Sequence, residues 1–280
     1  MFRSLSDLET CSIGATDGEI GRVKDCYFDD ESWVLRYFVV ETGVWLANRR
    51  VLISPIAVGK PDWSAKSLPV AITKKQVADS PGIDTDRPVS RQHEMSYLGY
   101  YGYPYYWGGA GLWGGGAFPG MLLSGVGYGG TDGAYRQDQA RGARADAEAD
   151  AERHSHDDHH LRSGKAVVGY RMHASDGDLG HVRELLIDED SWAIRYMIAD
   201  TSNWWMGHRV LISPQWIESV SWAQEQVVVN LTRAAVKSAP PYLVDRPVDR
   251  AQEMAVFGHH RRKGYWNDHV SSQRRSTPRI

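Results

Sequence analysis

DGEIGRVKDCYFDDESWVLRYFVVETGVW, residues 17–45, returns as DGDLGHVRELLIDEDSWAIRYMIADTSNW, residues 176–204, and this recurrence decides the fold. The offset is 159 with no gap: laid over one another, residues 17–99 and 176–258 agree at 30 of 83 positions. RVLISP follows in both copies, at Arg50 and Arg209, and DRPV stands near the end of both, at Asp86 and Asp245. A unit of about 85 residues can enclose a small core of its own, whereas solenoid repeats are shorter, so the pattern predicts two like domains.

Inside each copy the apolar residues come in short runs. Ile20, Val23, Cys26 and Phe28, then Val34 to Val40, Val51 to Ile53, and Leu68 to Ile72 are rich in branched and aromatic side chains and are divided by turn formers, which is strand character. Asp17-Gly18 and Asp176-Gly177 supply hairpin turns, and the acidic groups at 29–32 and 188–191 supply solvated ones. Thr73 to Asp79 and Thr232 to Ser238 read as one or two helical turns, capped by the Thr and stopped by Pro81 or Pro240. Each copy is therefore expected to be a small barrel with a short helix.

The run DGE-IG-V, the acidic turn before Trp33, the pair Arg36-Tyr37 and the stretch Val51 to Pro55 resemble the PRC-barrel, and the second copy repeats each element. The resemblance implies a mainly β fold of two small PRC-type β-barrels in tandem. The expected boundaries are 1–96 for the first barrel, 97–162 for a linker, 163–258 for the second barrel and 259–280 for a basic tail. The family takes its name from the cytoplasmic domain of the H subunit of bacterial photosynthetic reaction centres, and it includes the C-terminal domain of a ribosome-maturation factor. What it implies is a non-enzymatic docking or assembly module, with a role like that of the H subunit in organising a membrane-associated or photosynthetic complex. An RNA- or ribosome-associated maturation factor is the alternative. The membrane helix of the H subunit and the N-terminal β domain of the ribosome factor find no counterpart in this sequence.

Composition narrows the classes. A net charge of -3 with 24% charged residues lacks the basic excess of a general nucleic-acid binder. Cys11 and Cys26 are replaced by Tyr170 and Leu185 in the second copy, which excludes a shared disulfide framework and predicts reduced thiols. The chain start lacks a signal-like apolar run, and no stretch of either copy approaches a membrane span. The expected location is cytoplasmic, at most peripheral to the inner face of the membrane. GxSxG, HExxH, CxxC, a phosphate loop and a dinucleotide fingerprint are all missing, so no catalytic residue and no cofactor are expected. An unrecognised enzyme stays as a third reading. Asp17 and Asp176 precede Gly in hairpin turns and are assigned to turn chemistry rather than to catalysis.

The candidate interaction residues lie in the loop before RVLISP: Trp45, Arg49 and Arg50 in copy one, and Trp204, Trp205, His208 and Arg209 in copy two. Tryptophan and arginine are enriched in interface hot spots, but the same residues also suit a loop folded back on its own barrel, and both readings stand. Arg36, Arg50, Arg195 and Arg209 are expected to pair locally with Glu41 and Asp200. Trp33, Trp63, Trp192 and Trp222 are expected in packing roles.

Between the copies, the 37 residues from Met95 to Thr131 carry no charge, 13 Gly and 10 aromatics. Gly costs about 1 kcal/mol relative to Ala at each interior helical position, and Pro104 and Pro119 cost more, which argues against a membrane helix. Alternating Gly and Tyr predict transient stacking without a fixed core, so residues 97–130 read as a self-association or membrane-surface element. Beyond them RQDQARGARADAEADAERHSHDDHH reads as a solvated tether. Its His154, His156, His159 and His160 are of zinc-ligand type, although no scaffold holds them and no physiological metal is assigned. The basic tail from His259 suits contact with anionic lipid or phosphate. The expected partner is a protein or large assembly, with nucleic acid disfavoured.

Overall fold

A computed structural model describes residues 1–82, 89–107, 109, 111–124, 160–201 and 209–267. Among the described residues the fold is mainly β, with 38% strand against 26% helix, in two sheets of mixed strands. In chain order the first repeat gives β1 (Phe2–Ser4), α1 (Leu5–Glu9), β2 (Ser12–Ala15), β3 (Gly18–Asp29), β4 (Val34–Glu41), β5 (Arg50–Ile53), β6 (Ser67–Pro69), α2 (Lys74–Ala78) and α3 (Arg91–Tyr101), followed by α4 (Pro119–Ser124). The second gives β7 (Leu161–Ser163), α5 (Gly164–Val167), β8 (Arg171–Ala174), β9 (Gly177–Asp188), β10 (Ile194–Asp200), β11 (Arg209–Ile212), β12 (Ile217–Ser221), β13 (Gln226–Val229), α6 (Arg233–Lys237) and α7 (Arg250–His259).

One sheet runs β5-β4-β3-β2-β6 with β7 paired to β3; the other runs β11-β10-β9-β8-β13-β12 with β1 paired to β9. The hairpin expected at Asp17-Gly18 closes β2 onto β3, and its equivalent at Asp176-Gly177 closes β8 onto β9. The same two aspartates do more than turn the chain. Asp17 Oδ1 accepts from Lys74 N at 2.8 Å and Asp176 Oδ1 accepts from Arg233 N at 2.7 Å, so each ties its hairpin to the first turn of the short helix. Those helices start where the sequence places them: Thr73 and Thr232 are N-caps, with Gln76 completing a capping box around Thr73. Gly21 and Gly180 let paired strands approach; a Cβ on either would stand 1.9 or 2.1 Å from the carbonyl oxygen of Glu41 or Asp200.

The compact units are not simply the repeats. The first unit is Arg3–Val167 with Ile187–Arg195, and the second is Met1–Phe2 with Val168–Leu186 and Tyr196–Ile280. In the first unit Trp33 and Trp192 both take left-handed backbone, at φ 55 and 58, beside carboxylates of Asp29 and Asp188 that gather the turn amides. Both indoles are buried, as expected, Trp33 stacked on Phe28 at 5.0 Å and Trp192 edge-on to Phe38 at 5.1 Å.

Within the linker expected over 97–162, the described residues include the end of α3, α4 and the start of β7. Tyr97, Leu98, Tyr106 and Trp113 are all at most 3% exposed, so these four side chains are fixed in the core instead of stacking transiently. Large aromatic area buried against the sheet outweighs the entropy of the glycines. A tight turn helps: Gly111 N donates to Gly114 O at 2.7 Å, with Gly114 at φ 58. Tyr97 Oη donates to Leu52 O at 3.0 Å and accepts from Ser54 N at 3.2 Å, which covers the outer edge of β5. Among the described residues no helix is long and apolar enough to cross a membrane.

Candidate functional site

The most concentrated chemistry of the first unit surrounds a glutamate that sequence patterning leaves on a polar helix. Ser90 caps α3 through its Oγ, and Gly102, at φ 68, ends it. This fixes Glu94 one turn into the helix, facing inward at 0% exposure. Its carboxylate accepts from Arg91 Nη1 at 3.2 Å, from His160 Nε2 at 2.7 Å and from the Tyr106 hydroxyl. Behind it lies Arg36, 3% exposed, whose guanidinium sits 3.9 Å over the Tyr106 ring and 4.7 Å from the Trp113 ring. Arg36 donates to Leu112 O at 2.7 Å and to Ser32 Oγ at 2.9 Å, and reaches Asp29 at 3.6 Å. Acid and base thus alternate through the core, as a buried charge requires.

The protonation equilibria follow. Burial pushes the Tyr106 phenol well up, and the Glu94 charge adds to it, so this hydroxyl stays a donor. Tyr37, wholly buried, is raised by burial and by the same carboxylate. Burial alone would raise Asp29, but the Arg36 guanidinium and the amides of Ser32 and Glu31 hold it below the usual carboxylate value. Burial lowers Arg36.

The second unit holds the same device. Glu253 of α7, 2% exposed, accepts from Tyr196 Oη at 2.8 Å, from Tyr265 Oη at 2.7 Å and from Arg250 Nη1 at 3.0 Å. Arg250 lies 4.4 Å over Trp266, as Arg91 lies 4.2 Å over Trp107. Sequence reasoning missed this pair, and a signal for it exists. Tyr106-Trp107 and Tyr265-Trp266 stand at the same offset of 159 as the rest of the repeat, beyond the stretch first aligned. Both carboxylates are buried, and each network joins helix, strand and trailing aromatic segment, with Arg250 of the second reaching solvent. Cys11 and Cys26 are free and buried, and burial pushes both thiols up, away from nucleophilic character.

The predicted interaction residues divide. Trp45 donates through Nε1 to Ile20 O at 2.6 Å and lies 4.4 Å under Lys74 Nζ, while Arg49 donates to Ala78 O and Ser80 O, both at 3.3 Å, at the end of α2. Arg50 is exposed opposite Glu41, and Glu41 pairs with Lys24 at 3.2 Å. Arg209 meets Asp200 at 3.7 Å, the local pairing expected of it; Arg36 instead belongs to the buried network. Trp204, Trp205 and His208 lie outside the described residues, as do His154, His156 and His159. His160, the fourth histidine, is committed to Glu94. Among the described residues no group of three or more His, Cys, Asp and Glu is placed to hold a metal ion.

Comparison with known proteins matches residues 1–72 to the family model of the PRC-barrel domain. An uncharacterized protein of Deinococcus radiodurans is 32% identical over 81 residues, which are 29% of this chain and 29% of that protein. The chain thus covers well under half of that relative's length. The Asp17-Gly18 hairpin, the long strands β3 and β4 and the edge strands β5 and β6 all fall within the matched stretch. Residues 1–72 of this chain are therefore similar to the PRC-barrel domain, as the motifs of the first repeat lead one to expect.

Proposed function

We propose that this protein is a non-enzymatic docking protein that holds other proteins in an assembly, with the organising of a membrane-associated complex as its setting. The PRC-barrel domain carries a general protein-interaction or assembly role, which supports this class of function. Its charged clusters support the same reading, because the carboxylates that would do acid–base work, Glu94 and Glu253, are buried and hydrogen-bonded within the protein.

One observation carries the proposal. The loop between β4 and β5 displays Val44 at 91% exposure beside the half-buried Trp45. That loop is held in place: Ala47 and Asn48 take left-handed backbone at φ 52 and 56, Trp45 is pinned to Ile20 O, and Arg49 to the end of α2. A pre-ordered apolar tip loses little entropy on binding, which favours a contact surface. The test is quantitative capture of cell proteins by the immobilised full chain and by its Val44→Glu variant. Proteins retained by the parent and lost by the variant, at equal thermal stability, are the expected result. Identical capture by both overturns the assignment to this loop.

A further inference from the structure

Two tripeptides of one pattern enter the sheets as strands. Phe2-Arg3-Ser4 is β1 and Leu161-Arg162-Ser163 is β7, apolar-Arg-Ser at positions 159 residues apart. Neither pairs with the long strand of its own repeat: β1 pairs with β9, and β7 with β3. The slot that receives β7 is specific in both backbone and side chains. Tyr27, Phe28 and Asp29 face Ser163, Arg162 and Leu161 in antiparallel register, and Asp30 N donates to His160 O at 2.9 Å. Arg162 Nε meets Asp30 Oδ2 at 2.7 Å, Ser163 Oγ donates to Asp25 Oδ2 at 2.6 Å, and Lys165 N donates to Asp25 Oδ1 at 3.0 Å. Leu161 is buried, at 6% exposure. The other arm is read alike: Arg3 Nε meets Glu189, the residue equivalent to Asp30, at 3.0 Å.

This is recognition by strand addition, in which main-chain bonds bind and side-chain partners select. Because the arm in the β3 slot comes from the other repeat, the slot does not distinguish an arm of its own chain from that of another copy. Between the last residue of α4, Ser124, and His160 lie 35 residues (159 − 124), which when extended reach at most roughly 115 Å, ample to enter a neighbouring molecule. We propose that the slot on β3, Asp25 with Tyr27 to Asp30, takes the Leu161-Arg162-Ser163 arm of a second copy of this chain, so that two chains assemble by exchanging their second repeats. Tethering gives the chain's own arm an effective concentration on the order of mM, so exchange emerges on refolding at high protein concentration. The proposal is independent of the β4–β5 loop and goes beyond it.

Charge reversal tests it in the full chain. Asp30→Arg sets two arginines together in the chain's own slot, and Arg162→Asp sets two aspartates together. When the two variants exchange second repeats with each other, every slot regains one acid and one base. Native mass spectrometry of a co-refolded, isotope-labelled mixture should show heterodimer at least about tenfold above either homodimer, given the cost of like charges in one site. Variants that fold only when refolded together support the proposal equally. Monomers alone, or dimers in the proportions of random mixing, overturn it. So does co-refolding that yields only aggregate while the double variant D30R/R162D folds with the thermal stability of the parent.

Discussion

Replacing Glu94 by alanine should destabilise the first unit more than Glu253→Ala destabilises the second, although the two glutamates occupy equivalent positions. The difference comes from what each leaves behind. Loss of Glu94 strands Arg91, with an 11% exposed side chain, and His160 at 15%, and leaves the 3% exposed Arg36 with one buried acid fewer nearby. Removing one member of a buried charge pair costs about 3–5 kcal/mol. Loss of Glu253 strands two hydroxyls, those of Tyr196 and Tyr265, but Arg250 is 52% exposed and turns to water. Each unsatisfied hydroxyl costs about 1–3 kcal/mol, less than a charged group left in the same position, and neither leaves a charge stranded. Urea titration of each variant measures the loss, and amide hydrogen exchange assigns it to α3 or α7, since two units need not unfold together. Glu94→Gln, which keeps an acceptor and loses the charge, should fall between Glu94→Ala and the parent. A Glu94→Ala loss below about 1 kcal/mol, or a larger loss at Glu253, would refute the view that this network is a buried charge pair.

Acid stability offers a second check. Asp29 lies below its ordinary value of 3.8 in the folded chain, so its contribution is present above that pH and is lost as pH falls through the lower folded value. The urea midpoint of the parent should therefore drop more steeply below pH 4 than that of Asp29→Asn; parallel curves would show that Asp29 is not held by Arg36. Gly21→Ala and Gly180→Ala should each cost more than about 3 kcal/mol, because the new Cβ meets a backbone carbonyl that cannot move aside. Circular dichroism of a well-folded Gly21→Ala variant with an unchanged melting temperature would contradict this close approach.

Much of the fold is legible along the chain because its causes are local. Alternation of apolar residues, Asp-Gly turns, Thr caps and the acidic turns before Trp33 and Trp192 act within a few residues of themselves, and strands, hairpins and short helices follow from them. The candidate loop of Trp45 and Arg49 was also visible, as a tryptophan and arginine cluster between two strands. Its fixing by Ile20 O and by the end of α2 was not, since those partners come from β3 and from a helix beyond β6.

By itself, then, the sequence determined two related, mainly β repeats and the absence of known catalytic motifs. Only the tertiary structure decided that Glu94 and Glu253 are interior, that Tyr97, Leu98, Tyr106 and Trp113 of the aromatic stretch are core, and that β1 and β7 cross to the other repeat's long strand. A glutamate on a helix reads as solvated because its desolvation is costly; here the cost is offset by Arg91, Tyr106 and His160, which converge from 3, 12 and 66 residues away (94 − 91, 106 − 94, 160 − 94). No local pattern encodes such a convergence, because the energy that makes it exists only once the chain has closed.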